Sequence, residues 1–411
     1  MLNPKEKFIL MLGVLYLSSR PPFIVINITI ILLFIYLLKI HYKYNINIFD
    51  KYTFLMLIVY PILHLFYFLN FGSIDFLLSM RMFLLLIMAI WIIKLMNFDF
   101  LNIYEKFAYT LAIISLIFYP FQLLDYDATL NLITQISDLL PLNEKNEEMR
   151  SILIWSMDYD TGYRNTGFPW EPKAYANFLI IAIIIRLVQN GLVFKDKRVI
   201  VYSIALLTTI STTGYIILFA ILPFFVLWNK SPEKFLKYFI PVIIILFYVM
   251  QLDFMWSKIK NEWEGRYEYE SLLSDSRSFS KRSLGRTPSM MVDLIDFSKQ
   301  PIIGYGLNRE FRTQSRYTKL VRVNGLTDWI ASFGIVGIML FLWGHYNGFK
   351  KWLRHYNYKG ELFLVFIIMI IYFATTVTSH LFWLCLMFLF TVPNRVHLIN
   401  SKLNVGKIRE L

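Results

Sequence analysis

Apolar residues in this chain come in long unbroken runs, with polar residues pushed to the joints between them. Runs can be read at 8–19, 22–40, 52–71, 74–93, 104–123, 174–194, 197–213, 214–228, 235–251, 325–345, 361–378 and 380–393. About 20 apolar residues suffice to cross a bilayer core as a helix, so the pattern predicts an all-α integral membrane protein with about twelve transmembrane helices. The first run follows Lys5 and Lys7 as a signal peptide would. The chain then reads Ser18, Ser19, Arg20, Pro21, Pro22 without a small-residue cleavage site, so it is taken as a span. Five spans fall in 1–124, four in 174–251, and three with a cytoplasmic tail in 325–411. Two long polar segments, 125–173 and 252–324, remain as loops, and the second should be partly helical.

Composition sharpens this picture. The chain has 411 residues, 57% hydrophobic and only 17% charged, with a mean hydropathy of +0.53; a soluble domain carries about 25% charged residues. The formal charge of +13 would suggest nucleic acid in a soluble protein. Here it is a matter of sidedness. With the N-terminus inside and the runs alternating, the inner segments hold 22 Lys and Arg, whereas the short outer loops hold only Arg20, as the positive-inside rule requires. Both long loops then face outward. The first carries nine acidic and four basic residues, the second nine acidic and thirteen basic. Cys385 is the single cysteine and lies within an apolar run, so neither a disulfide framework nor a cysteine metal site is available.

Candidate chemistry concentrates in the loops and at their edges. GRTPSMMVDLIDFSKQPIIGYGLN, within the second loop, reads as a short amphipathic helix with Thr287 able to cap it and Pro288 suited to its first position. Met290, Met291, Leu294 and Ile295 would share its apolar face, and a turn at Pro301, Gly304 and Gly306 would follow. Arg309, Arg312, Arg316 and Lys319 then follow helical spacing. They read either as a solvated face or as an anion site, since guanidinium groups pair bidentately with phosphate oxygens. Arg81 sits about 10 Å inside the fourth span at 1.5 Å per residue. A charge at that depth faces a polar cavity or a partner, for which Asp75 and Asp328 are the structural options. His64 and His380 read as satisfied core histidines. Asp158 and Asp160 imitate an acidic doublet without further ligands, so no metal is expected, and no nucleotide-binding loop occurs. In GYRNTGFPWEPK, Trp170 and Tyr175 suit the headgroup level, while Glu171 is a carboxylate held at a helix N-terminus. Arg164 and Lys173 flank it.

These segments together resemble bacterial polysaccharide repeat-unit polymerases of the Wzy type, in the O-antigen ligase/polymerase superfamily. The resemblance rests on Arg164–Phe178, like R-x-x-G-x-x-x-E-P before a membrane helix, and on ISTTGYIILF at 210–219. It continues with Arg286–Gly306, like an arginine followed by P-hydrophobic-hydrophobic-G-x-G, and with NGLTDWIASFGIVG at 324–337. It implies a metal-independent, cofactor-free glycosyltransferase in the bacterial inner (cytoplasmic) membrane, with its site facing the periplasm or cell exterior. Its substrates would be undecaprenyl-diphosphate-linked oligosaccharides in O-antigen, capsule or related glycan synthesis, and its partners membrane lipid and, if present, a chain-length regulator, but no nucleic acid. Under this reading Glu171 and Arg286 are the catalytic pair. Arg81, Arg164, Lys173, Arg309, Arg312 and Arg316 bind diphosphate or glycan. The related ligases carry a histidine before the fourth segment; here that region reads Val321, Arg322, Val323 and Asn324, which favours polymerase over ligase. A lipid-linked oligosaccharide flippase or other transporter is the rival from another class. Transporters tend to show internal repeats and mid-membrane polar residues, and no repeat is visible.

Overall fold

Asparagine and aspartate start many of the helices. In the computed structural model, which describes residues 2–19, 26–45, 49–139, 149–158, 162–191, 196–227, 285–307, 311–313, 323–376 and 380–393 with a few isolated positions between 240 and 264, Asn3 caps α1 (Pro4–Ser18) in a reciprocal box with Glu6. Asp50 caps α3 (Lys51–Phe71), Asp75 caps α4 (Phe76–Met96) and Asp125 caps α6 (Tyr126–Ser137). Asp196 caps α8 (Lys197–Thr208). Each carboxylate satisfies backbone N–H groups that the first turn leaves open. The remaining helices before the second loop are α2 (Ile26–Tyr44), α5 (Asp99–Leu124), α7 (Pro172–Asn190) and α9 (Thr212–Leu227). After the gap come α10 (Arg286–Lys299), α11 (Gly325–His355), α12 (Glu361–Ala374) and α13 (Leu381–Met387), which runs into a 3₁₀ turn at Phe388–Thr391.

The protein is mostly helical and membrane-embedded. Five described helices, α3, α4, α5, α7 and α11, are long and apolar enough to cross a bilayer. Eleven of the twelve apolar runs coincide with helices, though α8 has only 12 residues; the ninth, 235–251, lies outside the described residues apart from isolated positions. Enclosure differs sharply between spans: 83% of the most apolar window of α7 is buried against 17% for α3. Helix α7 is therefore the central strut, and α3 turns most of its apolar surface outward.

Interhelical polar contacts sort the bundle into two ends. At one end Lys7 pairs with Asp99, Lys43 with Glu6, Lys94 with Asp50, and Arg198 with Glu105. Gln189 also donates to Asn102 there. At the other end Gln122, Asn165, Asn177, Tyr67 and His380 bond across elements. Successive helices from α1 to α5, and again from α7 to α9, run alternately between these ends.

The first loop is more structured than its sequence suggested. It holds α6 and an antiparallel pair, β1 (Met149–Ser151) with β2 (Ser156–Asp158), registered Met149 to Asp158 and Ser151 to Ser156. Leu130, Ile133, Trp155 and Met157 form a small separate core, with Trp155 stacked on Phe118 at 4.9 Å.

Helix α11 is broken at Gly334, whose φ of 62° interrupts the ladder. The turn at 301–306 fills the gap. Tyr305 N–H donates to Ala331 O (3.1 Å) and Gly306 N–H to Ser332 O (2.7 Å), while Ile335 N–H donates to Pro301 O (2.8 Å) and Val336 N–H to Ile302 O (3.2 Å). The backbone groups a helix break would orphan are thus paired with the P-I-I-G-Y-G turn. A Cβ on Gly304 would stand 2.5 Å from Ser332 backbone atoms, and one on Gly334 would stand 2.3 Å from Ile302 O. Both glycines are required by close approach as well as by positive φ.

Candidate functional site

The approach to α7 is built by Asn165 and Gly167. Asn165, fully buried, donates its backbone N–H to Thr208 O (3.0 Å) and its amide to Thr208 Oγ1 (2.9 Å) and Ser115 Oγ (3.3 Å). Its Oδ1 accepts from Gly167 N–H (3.0 Å). Gly167 has φ of 59°, and a Cβ there would lie 2.6 Å from the Tyr175 ring. The chain therefore passes tightly over the first turn of α7 and delivers Glu171 as its N-cap residue, in extended conformation at φ −150°. The helix begins at Pro172 rather than at Ala174 as the hydrophobic run suggested. The Glu171 carboxylate does not cap the helix; it faces Lys173, with Oε2 3.6 Å from Nζ. That separation is an ion pair, longer than a hydrogen bond.

Two guanidinium groups reach the same place. Arg164 donates from Nε to Thr209 O (3.1 Å), in the turn between α8 and α9. Arg286, in the first turn of α10, donates from Nε to Ala374 O (3.3 Å) at the end of α12. Lys173 lies within the electrostatic reach of Glu171, Arg286 and Arg164 together. Three cations and one carboxylate from both loop regions thus gather at one end of the central helix. Asn177, one turn further into α7, donates to Thr375 Oγ1 (3.1 Å) and ties α7 to the end of α12. Gly214 lets α9 approach, since a Cβ there would stand 3.0 Å from Ala176 Cβ. Neighbouring Ile210 holds φ of 48°, a conformation costing a β-branched residue about 1–3 kcal/mol, in the turn that receives Arg164.

Helix α10 corrects two sequence expectations. Gly285, not Thr287, is its N-cap residue, so Pro288 stands in the third helical position rather than the first. Its buried side mixes Pro288 and Val292 with three polar residues, Ser289, Asp293 and Asp296, whereas Leu294 is 44% exposed and Met290, Met291 and Ile295 are only partly covered. Thr327 Oγ1 donates to Asp293 (2.6 Å), Thr313 donates to Asp296 from both N–H (3.0 Å) and Oγ1 (2.6 Å), and Val323 N–H donates to Ser289 Oγ (3.3 Å). Carboxylates anchor this helix from beneath and leave its apolar side outward.

The other candidate residues separate. Arg312 is buried and turned inward, its guanidinium on Asp328, Ser332 Oγ and Gly306 O. It braces the break in α11 and is not presented to a ligand. Asp328 is thereby committed to Arg312, not to Arg81, and Asp75 is committed to capping α4 through Leu78 N–H (2.9 Å). The two structural partners considered for Arg81 are both excluded. Among the described residues, half-buried Arg81 makes no hydrogen bond or ion pair. Next to it in sequence, Ser79, Met80 and Phe83 line a groove of about 420 Å³ between α3 and α4, with Tyr60, His64 and Phe68 opposite. Arg309, Arg316 and Lys319 lie outside the described residues, as does Asp160; Asp158 is in β2. Among the described residues no three His, Cys, Asp or Glu side chains gather as a metal site would require.

Sequence reading passed over two features of this end. Asn165 and Thr208 carry the loop's hydrogen bonds, and polar residues within R-N-T-G and beside I-S-T-T-G were the available signal. His380, expected as a satisfied core histidine, is buried with Nδ1 3.0 Å from Ser18 O; its packing on Trp170 at 5.2 Å has no local sequence pattern. No protein-family model matches this chain, and no curated protein matches it in sequence.

Proposed function

We propose that this protein is a glycan polymerase that transfers a growing chain from a lipid diphosphate to the next lipid-linked repeat unit. The observation that carries the reading is the convergence of Glu171, Arg164 and Arg286 on Lys173 at one end of the bundle. In such a transfer an acceptor hydroxyl oxygen bonds to the anomeric carbon, and the bond from that carbon to the diphosphate oxygen breaks. The diphosphate leaves with the electron pair, and the hydroxyl proton passes to a base. Preorganised cations stabilise the leaving charge; Arg286, Lys173 and Arg164 supply three. Glu171 is the base, for which catalysis is typically worth about 10²–10⁴-fold. No nucleotide is needed, since the donor carries its own leaving group. Arg81 and the apolar groove beside it suit the diphosphate and prenyl chain of an undecaprenyl carrier. About twelve spans, both termini in the cytoplasm and the charged cluster on the outer face of the inner membrane complete the proposal.

Gene deletion followed by sizing of the surface glycan tests the class. A polymerase null leaves single capped units, a ligase null strands full chains on lipid carrier, and a flippase null leaves no outward-facing units. Purified Glu171→Gln and Arg286→Ala, given lipid-linked repeat units as sole substrate, should each lose long products at least 100-fold while melting in detergent as the parent does. Parental polymerisation by Glu171→Gln removes Glu171 as the base.

A further inference from the structure

Lysine pairs hold the end of the bundle opposite the Glu171 cluster, and beside one of them lies a groove that the proposed reaction does not use. It opens between α1 and α5, has a volume of about 570 Å³, and includes Lys7, Phe8, Asp99, Asn102, Lys106 and Phe107 in its lining. Small-molecule sites run from about 300 to 1,000 Å³. The rings of Phe8 and Phe107 stand 4.9 Å apart and give the groove apolar walls. Its polar groups are donors in excess. The Lys7 ammonium meets Asp99 Oδ2 at 2.6 Å, and among the described residues Asp99 is the one carboxylate in the lining. Glu6, next in the chain, is engaged by Lys43 (2.8 Å) and Tyr44 (2.7 Å). Asn102 accepts through Oδ1 from Gln189 (2.6 Å), which leaves its Nδ2 to donate. Exposed Lys106 makes no side-chain hydrogen bond or ion pair among the described residues. It stands seven residues past Asp99 in α5, about 10 Å along the helix at 1.5 Å per residue, a depth from which a lysine snorkels to the interface. Ammonium and amide donors over apolar walls fit an anionic head carrying a hydrocarbon tail. A soluble anion has no use for the walls, and a zwitterionic head cancels the charge. The walls continue along α1, where Phe8 and Leu12, one turn apart, are each 52% exposed, so an acyl chain has a surface to follow.

We propose that the groove between α1 and α5 binds one anionic phospholipid, its phosphate held by Lys106 and Lys7 and an acyl chain lying over Phe8 and Phe107. The site is independent of the polymerase reading, whose chemistry lies at the other end of the bundle. Native mass spectrometry of delipidated protein in a neutral detergent, titrated with dioleoylphosphatidylglycerol, should show one retained lipid. Dioleoylphosphatidylcholine should bind at least about fivefold more weakly, and inorganic phosphate should not displace the bound lipid. One lysine beside an anionic head is worth about fivefold in affinity, so Lys106→Gln should weaken phosphatidylglycerol by about that factor while melting like the parent without lipid. Phe8→Ala, losing about half a phenylalanine's burial, should cost about fivefold as well. Lys39 supplies the control: it is exposed near the same end of α2 but lies outside the groove, and Lys39→Gln should bind as the parent does. Parental affinity in Lys106→Gln would overturn the site. An equal loss in Lys39→Gln would overturn it too, reducing the effect to diffuse surface charge. If Lys106→Gln melts early, parental affinity in Phe8→Ala overturns it instead. Equal binding of phosphatidylcholine would leave a crease without charge selectivity, and displacement by inorganic phosphate would make it a free-anion site; either result defeats the proposal.

Discussion

Gly167 and Gly72 both have positive φ, 59° and 74°, but only Gly167 is crowded: a Cβ would meet the Tyr175 ring there, while nothing lies within 4 Å at Gly72. The backbone term alone is about 1–2 kcal/mol, and overpacking adds about 1–3 kcal/mol. Gly167→Ala should therefore destabilise by about 2–5 kcal/mol and Gly72→Ala by about 1–2 kcal/mol in detergent melts; equal losses would mean that the contact with Tyr175 is not tight. Arg81 calls for the opposite comparison. If Arg81 grips a diphosphate as proposed, Arg81→Lys should melt as the parent does, neither Asp75 nor Asp328 being its partner, but lose most of the proposed polymerisation, because an ammonium cannot reproduce a bidentate fork. A fully active Arg81→Lys protein would remove Arg81 from the proposed diphosphate site.

At the scale of elements, the segment that follows α10 is held on α11 by the buried charge pair of Arg312 and Asp328. Removing one partner of a buried ion pair costs about 3–5 kcal/mol because the other is left uncompensated. Arg312→Ala should thus melt well below the parent, whereas Arg312→Met with Asp328→Leu should recover most of the loss; failure to recover would show that the guanidinium's bonds to Ser332 and Gly306 matter more than the charge. The caps at the other end respond to acid. Burial pushes the Asp50 carboxyl up, but the Lys94 ammonium and the N–H groups of Thr53 and Tyr52 outweigh it and hold it below its ordinary value. Asp196 behaves alike, with burial opposed by Arg186, the Arg198 N–H and Asn190. Depressed carboxylates contribute stability above their unfolded pKa, near 3.9, and lose it as pH falls through the lower folded value. Asp196→Asn should abolish the corresponding part of the acid destabilisation, read as melting temperature between pH 5 and pH 3.

For the whole molecule, the two polar ends make a directional prediction. Leu153, 46% exposed between β1 and β2, and Lys359, exposed between α11 and α12, belong to opposite ends. In a Cys385→Ser background, Leu153→Cys should react with an impermeant thiol reagent in intact spheroplasts and Lys359→Cys only after lysis. The reverse labelling would invert the bundle and put the charged cluster in the cytoplasm. Substituting Cys385 by the similarly sized serine is a mild change, since among the described residues its enclosed thiol makes one hydrogen bond, to Ala89 O at 4.0 Å.

Run length and caps are local properties, and local properties suffice for helices. The apolar runs, the Asp and Asn residues before them and the excess of Lys and Arg at alternate joints could all be read without a fold, because a bilayer imposes length and polarity on each segment separately. The spacing of Arg164, Gly167 and Glu171 was likewise legible, since all three act within one turn of chain entering α7. Which charge meets which was not. Arg312 reads like its basic neighbours, yet it is spent on Asp328 because the turn at 301–306 threads the break in α11 and carries the following residues inward. The polar underside of α10 inverted an apolar-face reading for the same reason: α11 offers it Thr327 and the adjoining loops Thr313 and Val323. His380 comes to Trp170 only because α1 ends at Ser18, where α13 begins. Contacts between segments distant in sequence depend on how helices pack, and a single chain's periodicity holds no record of that.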